Sequence, residues 1–508
     1  MKSSSESEHR FARFLSSEKV FWAIVVFFVF EALWIALSGR YPMAFDEDFH
    51  LGIIRIYAHH LSPFWGTQPP GTEAYGAISR DPAFLYHWLM SFPYRLISLF
   101  TNDQNIQVII LRFINIGLLG ASLPFFRRLL AKTGASKALV NASLGIFVLV
   151  PVVPLLAAQI NYDNLMIPMT AISLLLTVSL TEKFSKKKPI DVRLLLLTLI
   201  ACLSTSLVKY SFLPIFIVII GFVYYYAVKK YSNIKNIWLN LKKGFTLVPR
   251  KQLIALVLFS LIFFGVFIQR YGVNIVKYHK PVPGCSQVLT EKQCSNYGPW
   301  LRDYTNKQAK DIDNVPTHLN TYIGDWFYGM WLRSFFTVDG PATLYETRGP
   351  FRVPAQSAII FIVLGTAALI FTFRRLLKKY HSPVIWLFVI TSLFYLIILW
   401  LDDYQIYLST AAPVAINGRY IFPVLPLIIL VIALAYDEVL RKWYRLKVLL
   451  MVTVFICMIL GGGSLTYILR SRDVWYWNSQ PVYDANHAVQ RFIGPITPGY
   501  RFQTEFLR

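Results

Sequence analysis

VFWAIVVFFVFEALWIALS (residues 20–38) gives way, three residues later, to PMAFDEDFH (residues 42–50). A helix of that first length rises about 28 Å, enough to cross a hydrocarbon core of about 30 Å. Its one ionisable residue, Glu31, should turn toward neighbouring helices and a structural partner rather than toward lipid. Asp46, Glu47, Asp48 and His50 then stand at the membrane surface, at the mouth of whatever the helices enclose. Carboxylates packed this closely repel one another, so a cation, a proton-transfer task or exposure to water must accommodate them. Asp46 to Leu61 reads as a helix, with its acids gathered at the N-terminus that the helix dipole makes positive. Successive residues on a helix are turned by about 100°, so the three acids cannot share a face. His50 lies within reach of either Asp46 or Glu47.

The remaining chain repeats the apolar signal. Of 508 residues, 55% are hydrophobic and 15% charged, with a mean hydropathy of +0.48, as in a polytopic membrane protein. Eleven apolar spans are predicted, at about 20–38, 107–126, 138–157, 164–181, 194–208, 211–228, 252–268, 355–373, 384–401, 421–436 and 448–468. The net charge of +23 follows from this threading. Segments 1–19, 127–137, 182–193, 229–251, 374–383 and 437–447 carry 28 Lys and Arg against 7 acids, while the opposite side carries 21 against 19. Basic loops mark the cytoplasmic side, so the N-terminus is expected inside and the C-terminus outside, and no nucleic-acid partner is needed. No cleavable leader is expected, because residues 1–19 are polar and no small-residue cleavage site follows the first span.

The expected fold is therefore an all-α polytopic membrane protein of about 11 transmembrane helices, with interfacial helices in its first outer loop. Residues 1–19 form a cytoplasmic tail, 20–468 the membrane domain and 469–508 a short outer segment carrying Trp475 and Trp477. Outer segments 39–106 and 269–354 are long, and elaborated loops tend to carry function. Pro82 to Phe100, which includes His87, Pro93 and Arg95, reads as a helix lying in the interface rather than crossing it. Cys285 and Cys294 lie in the second long loop, where an oxidising compartment favours a disulfide; Cys202 and Cys457 fall inside spans as apolar filler. Trp300, Trp326, Trp331, His318, Asp325 and Arg333 of that loop suit either a carbohydrate or headgroup platform or an interfacial aromatic belt.

Further polar groups fall on the same outer side. Asp163, in Asn161-Tyr162-Asp163-Asn164, either caps a helix or faces the acidic turn. Arg80, Lys209 and Arg419 sit at the outer ends of elements, as donors for a lipid phosphate or as cations snorkelling to headgroups. Within the acidic cluster, one carboxylate could serve as general base while Glu47 and His50 hold a divalent cation; a solvated helix turn is the plainer alternative. Asp402 and Asp403 read as a solvated helix end.

In their order and sidedness these motifs resemble the type C glycosyltransferases, membrane enzymes that use polyprenyl-phosphate sugars, among them protein O-mannosyltransferases and lipid A aminoarabinose transferases. The resemblance rests on Asp46-Glu47 after the first span, Arg80-Asp81-Pro82 opening the interfacial segment, Asn161-x-Asp163-Asn164, the Lys209-Tyr210 turn and Gly418-Arg419-Tyr420-x-x-Pro423. It covers roughly residues 20–440, and each motif alone is short. It implies an inverting transfer on the outer face, with Asp46 as the acid that deprotonates the acceptor and Arg80, Lys209 and Arg419 as cations on the departing phosphate. Asp48 extends the usual acidic pair, so the identity of the base stays open among three carboxylates. Asp81 stands where a second proline often occurs, and the C-terminal soluble domain of several relatives has no counterpart. Partners would be the polyprenyl-phosphate sugar, a lipid, glycan or protein acceptor, and membrane lipids, in what reads as a bacterial plasma membrane. A lipid-linked polysaccharide ligase would share the late outer loop but not need the acidic helix. A transporter or flippase of lipid-linked sugars would place ionisable groups at mid-membrane, where only Glu31 and Arg112 lie.

Overall fold

The computed structural model describes residues 12–185, 188–335, 337–340, 343–345, 352–461, 471 and 473–496. Apart from one short antiparallel pair, Thr337–Gly340 with Thr343–Tyr345, its regular structure is helical. Among the described residues, seven helices are long and apolar enough to cross a membrane: 18–38, 104–131, 163–182, 210–231, 250–278, 357–379 and 382–410. The other predicted spans fall on the helices Lys137–Leu149, Val192–Val208, Leu425–Val439 and Tyr444–Gly461. The single span expected at 138–157 is broken into Lys137–Leu149 and Val152–Ala157, because Pro151 and Pro154 withdraw two backbone donors from one turn. Helix starts follow the local chemistry: Ser17, Asp103, Ser136 and Asp191 each accept a first-turn N–H with their side chains.

The described parts of the six basic segments meet at one end of the bundle. Arg127 pairs with Glu18, Lys132 with Glu182 at 2.6 Å, and Lys379 with Glu438 at 3.1 Å. The Ile190 amide donates to the Asn240 carbonyl and that of His381 to Thr133. Charge and topology thus agree, as a positive-inside arrangement requires. Inside the bundle, helices Asp163–Glu182 and Val192–Val208 pack through small hydroxyl residues, whose oxygens return to carbonyls one turn back or, at Ser173 and Thr205, meet across the pair at 3.5 Å.

At the other end, the two predicted interfacial elements are the helices Glu47–Ala58 and Leu85–Ser98, packed on each other, with Pro93 accommodated inside the second. In the later loop, the helix from Arg250 runs on to Tyr278 through a π-helical turn at Ile268–Gly272. Cys285 and Cys294 form the expected disulfide, with Cα atoms 5.8 Å apart, and the helices Gly298–Asp313 and Leu319–Leu332 follow. Asp403 is not a solvated end: it is buried and accepts the Trp326 indole N–H at 2.8 Å, because the loop helix folds back onto it. Of the C-terminal segment, 471 and 473–496 are described. It pairs Tyr476 with Gly39 and ends in the helix Gln480–Ile493, whereas 469, 470, 472 and 497–508 lie outside the described residues.

Candidate functional site

The acidic turn sorts its three carboxylates by backbone geometry. Phe45 and Asp46 both take left-handed conformations, φ +63° and +64°, which cost a non-glycine residue about 1–3 kcal/mol each unless the surroundings fix them. Asp46 supplies its carbonyl to the His50 amide, but its side chain makes no cap and remains 65% exposed. Asp48 is exposed as well, one residue beyond the buried Glu47. Burial first, then the charges of Glu47 and Asp48, push the neighbouring Tyr41 phenol up to about 12.

Glu47 turns into the bundle and is completely buried. Arg112 holds it with a two-pronged contact, Nε to Oε1 at 2.8 Å and Nη2 to Oε2 at 2.7 Å, while the amides of Met43 and Ile160 donate to the same oxygens. Arg112 Nη1 donates to the carbonyls of Ala36 and Gly39. The carboxylate is thereby saturated and closed to a substrate, so its chemistry is architectural: it ties the turn to the first span and to the helix Gln104–Gly120. A base role for Glu47 has no geometric support, and Asp46 is left as the accessible carboxylate at the cluster described next.

Asp46 Oδ2 accepts from Arg419 Nη2 at 3.0 Å. Arg419 also donates through Nη1 to the Phe45 carbonyl, at 3.0 Å, and that carbonyl accepts the Asn161 amide at the same distance. Asn161, not Asp163, does the local capping, since its Oδ1 accepts the Asp163 amide at 2.9 Å. Asp163 is therefore free to pair with Lys209, at 2.7 Å, both groups being buried. Tyr420 joins the two halves: its ring centroid lies 4.9 Å from Lys209 Nζ and 5.2 Å from Arg419 Cζ, and Lys209 also sits 4.4 Å over Tyr162. Arg419 Nε is buried without an acceptor, and Asp163 Oδ2 is buried without a donor. Residues 46, 163, 209 and 419 are thus one cluster of two buried cations and two carboxylates, with hydrogen-bonding capacity unspent.

Gly418 sets the cluster's tolerance. A Cβ there would lie 2.7 Å from the Ser334 amide nitrogen and 2.8 Å from the Met330 carbonyl, both main-chain atoms that cannot swing aside. Gly418→Ala is expected to lower stability by about 1–3 kcal/mol and to weaken the Asp46–Arg419 contact. Thermal unfolding of the purified variant checks this, and an unchanged melting temperature would count against the packing described.

His50 flanks the cluster, its ring 4.6 Å from that of Tyr162. Its Nδ1 meets His87 Nε2 at 2.9 Å in a stacked, buried pair, which requires one ring to donate and the other to accept. Burial, then the charges of His87, Arg419 and Lys209, hold His50 well below its ordinary value; burial brings His87 down to about 3. Both rings are neutral in the folded protein near pH 7. The unfolded chain takes up protons first, so this stability is complete above about pH 6.5 and is lost as pH falls toward His87's value, at about 1.4 kcal/mol per pH unit for each imidazole. Melting temperature should fall between pH 6.5 and 4, and a His50→Asn/His87→Asn variant should show a flatter profile.

Glu47 and His50, the pair considered for a divalent cation, do not suit one: the first is saturated by Arg112 and two amides, and the second faces His87. Among the described residues no group of three or more His, Cys, Asp or Glu side chains could hold a metal ion.

Arg80 stands apart. Among the described residues no hydrogen bond or ion pair joins its side chain to Asp46, Lys209 or Arg419, and its Nη1 is buried without a partner. Its segment is positioned from the π-helical turn: Arg270 Nη1 donates to the Ser79 carbonyl and Asn274 Nδ2 to that of Arg80, at 2.6 and 3.0 Å, while the Tyr271 hydroxyl reaches the Ser206 carbonyl just before Lys209. One irregular turn so braces both cation-bearing segments, a common use of π-bulges. Tyr297, just past the disulfide, packs its ring 6.0 Å from Phe49, and burial followed by the charges of Asp81 and Asp46 raises its phenol. Sequence reasoning missed Tyr162 and Tyr420, although each adjoins a singled-out charge. It also missed Arg270, Tyr297 and the partnership of Arg112, for which no local signal exists.

Together, fold and site define an all-helical protein built on membrane-length apolar helices, with a paired two-cation, two-carboxylate cluster at the end opposite its basic loops. No protein-family model matches the chain, and no curated protein matches it.

Proposed function

We propose that the protein is a membrane glycosyltransferase that moves a sugar from a polyprenyl-phosphate donor to an acceptor hydroxyl on the outer face, with inversion at the anomeric carbon. The observation that carries this reading is the pairing of buried Arg419 and Lys209 around Tyr420, beside Asp46, an exposed carboxylate in contact with Arg419. An anionic phosphate is a ligand for which two desolvated cations with spare donors are suited. An apolar groove of about 680 Å³ supports a lipid-borne substrate: it reaches Ile421, two residues from Arg419, and is walled by Trp326, Phe373, Trp386, Leu396 and Ile428. Along one wall Trp386 to Leu396 covers about 15 Å of helix, a length suited to an isoprenoid chain.

In the reaction the acceptor oxygen attacks the anomeric carbon and the bond from that carbon to the phosphate oxygen breaks. Polyprenyl phosphate departs with the bonding electrons, and the acceptor proton passes to Asp46. The donor phosphate competes with Asp46 for Arg419, so its arrival frees the carboxylate to act as base. Lys209 and Arg419 then stabilise the charge that grows on the leaving phosphate, the contribution expected of fixed cations in a water-poor site. Arg80 is assigned to the phosphate on the resemblance alone.

Incubating the purified full-length chain with undecaprenyl-phosphate hexoses and pentoses, together with a panel of lipid, glycan and peptide acceptors, tests the reading. Release of undecaprenyl phosphate is expected from at least one donor, with at least a hundredfold loss in Arg419→Lys, since an ammonium cannot reproduce the guanidinium fork. No release from any donor would sink it. Sidedness is checked with Lys243→Cys, which an impermeant thiol reagent added outside should fail to label; labelling there would reverse the proposed orientation.

A further inference from the structure

A second cavity of about 680 Å³ opens at the same end of the bundle, where its lining residue Trp477 packs on Arg112. Its walls come from the end of the first span, the start of the helix Gln104–Gly120 and the C-terminal segment around Trp477. The volume falls within the roughly 300–1,000 Å³ usual for small-molecule sites.

The walls are pinned by main-chain bonds. The Arg40 amide donates to the Trp475 carbonyl at 2.8 Å and the Trp477 amide to that of Ser38 at 3.0 Å, while Asn486 holds the Ser38 hydroxyl at 3.1 Å and accepts the Trp34 indole N–H. Trp477 is fixed from behind by the Arg112 guanidinium, 5.3 Å from its ring. The cleft is therefore preformed, and binding there spends little on ordering its walls.

Its chemistry is specific. Tyr41, Trp477 and Tyr483 contribute aromatic surface, while Arg40, Asn105 and Asn478 are exposed and bring hydrogen-bonding tips. The side chains of Arg40 and Asn105 make no hydrogen bond among the described residues. Asp473, the one acid in the lining, is bound by His487 at 2.7 Å, which makes the cleft a poor seat for a cation. Rigid aromatic faces beside planar amides and a guanidinium suit a ligand that presents C–H faces and pairs of adjacent hydroxyls.

We infer that this cleft is a saccharide-binding site, separate from the Asp46–Arg419 cluster and linked to it through Trp477, which packs on Arg112, the partner of Glu47. The inference does not rest on the transfer reading. Where that reading holds, the cleft is the seat of a glycan acceptor, its lining residue Tyr41 lying five positions before the base.

The test is retention of the full-length chain, in detergent micelles, on an array of lipid-free neutral, amino and acidic oligosaccharides. At least one oligosaccharide class should retain the wild type, with a signal at least tenfold lower for Asn105→Ala/Asn478→Ala and unchanged for Lys243→Cys, in a basic segment at the opposite end of the bundle. Both substituted asparagines are exposed, so the fold should persist, and a melting temperature equal to the wild type's confirms it. Absence of retention on every oligosaccharide, or retention indifferent to the double substitution, would overturn the proposal. So would retention abolished by vesicles of phosphatidylethanolamine and phosphatidylglycerol, which would make the cleft a headgroup seat. An inactive transferase that still binds the array would leave this inference standing and remove only the transfer reading.

Discussion

Asp46→Asn is expected to cut sugar transfer by about a hundredfold to ten-thousandfold, the range associated with removing a general base. Asparagine keeps an oxygen that can accept from Arg419 but loses the charge that competes with phosphate for the guanidinium. Affinity for sugar-free undecaprenyl phosphate should therefore hold or rise while turnover collapses. That divergence separates a base from a group that merely binds. Asp48→Asn, one residue into the helix and turned away, should change turnover less than threefold. Measured kcat on the purified variants decides the matter, and near-full turnover in Asp46→Asn would remove Asp46 from the chemistry.

Arg112→Ala should produce the largest loss of stability, about 3–5 kcal/mol, because it strands the Glu47 carboxylate without its counter-ion in a fully buried position. The loss comes from the orphaned charge rather than from the pair's own net contribution. Replacing both partners, as Glu47→Met/Arg112→Met, should therefore recover much of it. Two carbonyls, of Ala36 and Gly39, would still lose a donor, so recovery should be incomplete. Thermal unfolding of the three variants in one detergent is the measurement. An Arg112→Ala protein as stable as the wild type would show that water reaches Glu47.

The two outcomes bear on different halves of the acidic turn. Residues 46 and 47 are neighbours with opposite fates, one exposed beside Arg419 and one in the core. A helix rotates each residue about 100° from the last, so adjacent acids at a helix start must part. Which acid goes where depends on the left-handed pair Phe45–Asp46 and on Arg112 waiting in the next span.

Much of this was readable along the chain. Hydropathy located the helices and Lys and Arg marked one end of the bundle, because both signals are local: each helix must satisfy its own backbone in lipid, and each loop carries its own charge. The disulfide between Cys285 and Cys294 was likewise legible from compartment and spacing. The break at Pro151 and the continuation of the helix from Arg250 to Tyr278 were misjudged, since tertiary packing decides whether an interrupted helix stops or goes on.

What only the tertiary structure decided is which charges meet. Asp163 could be a cap or a partner until Asn161 was found to do the capping, and Asp403 could be solvated until Trp326 was found against it. Arg419 reaches Asp46 across more than 370 positions of sequence, and Arg270 braces a loop about 190 residues earlier. A sequence states the cost of burying each charge but not its counter-ion. That choice belongs to the packing of helices, where a buried charge survives only beside the partner the fold supplies.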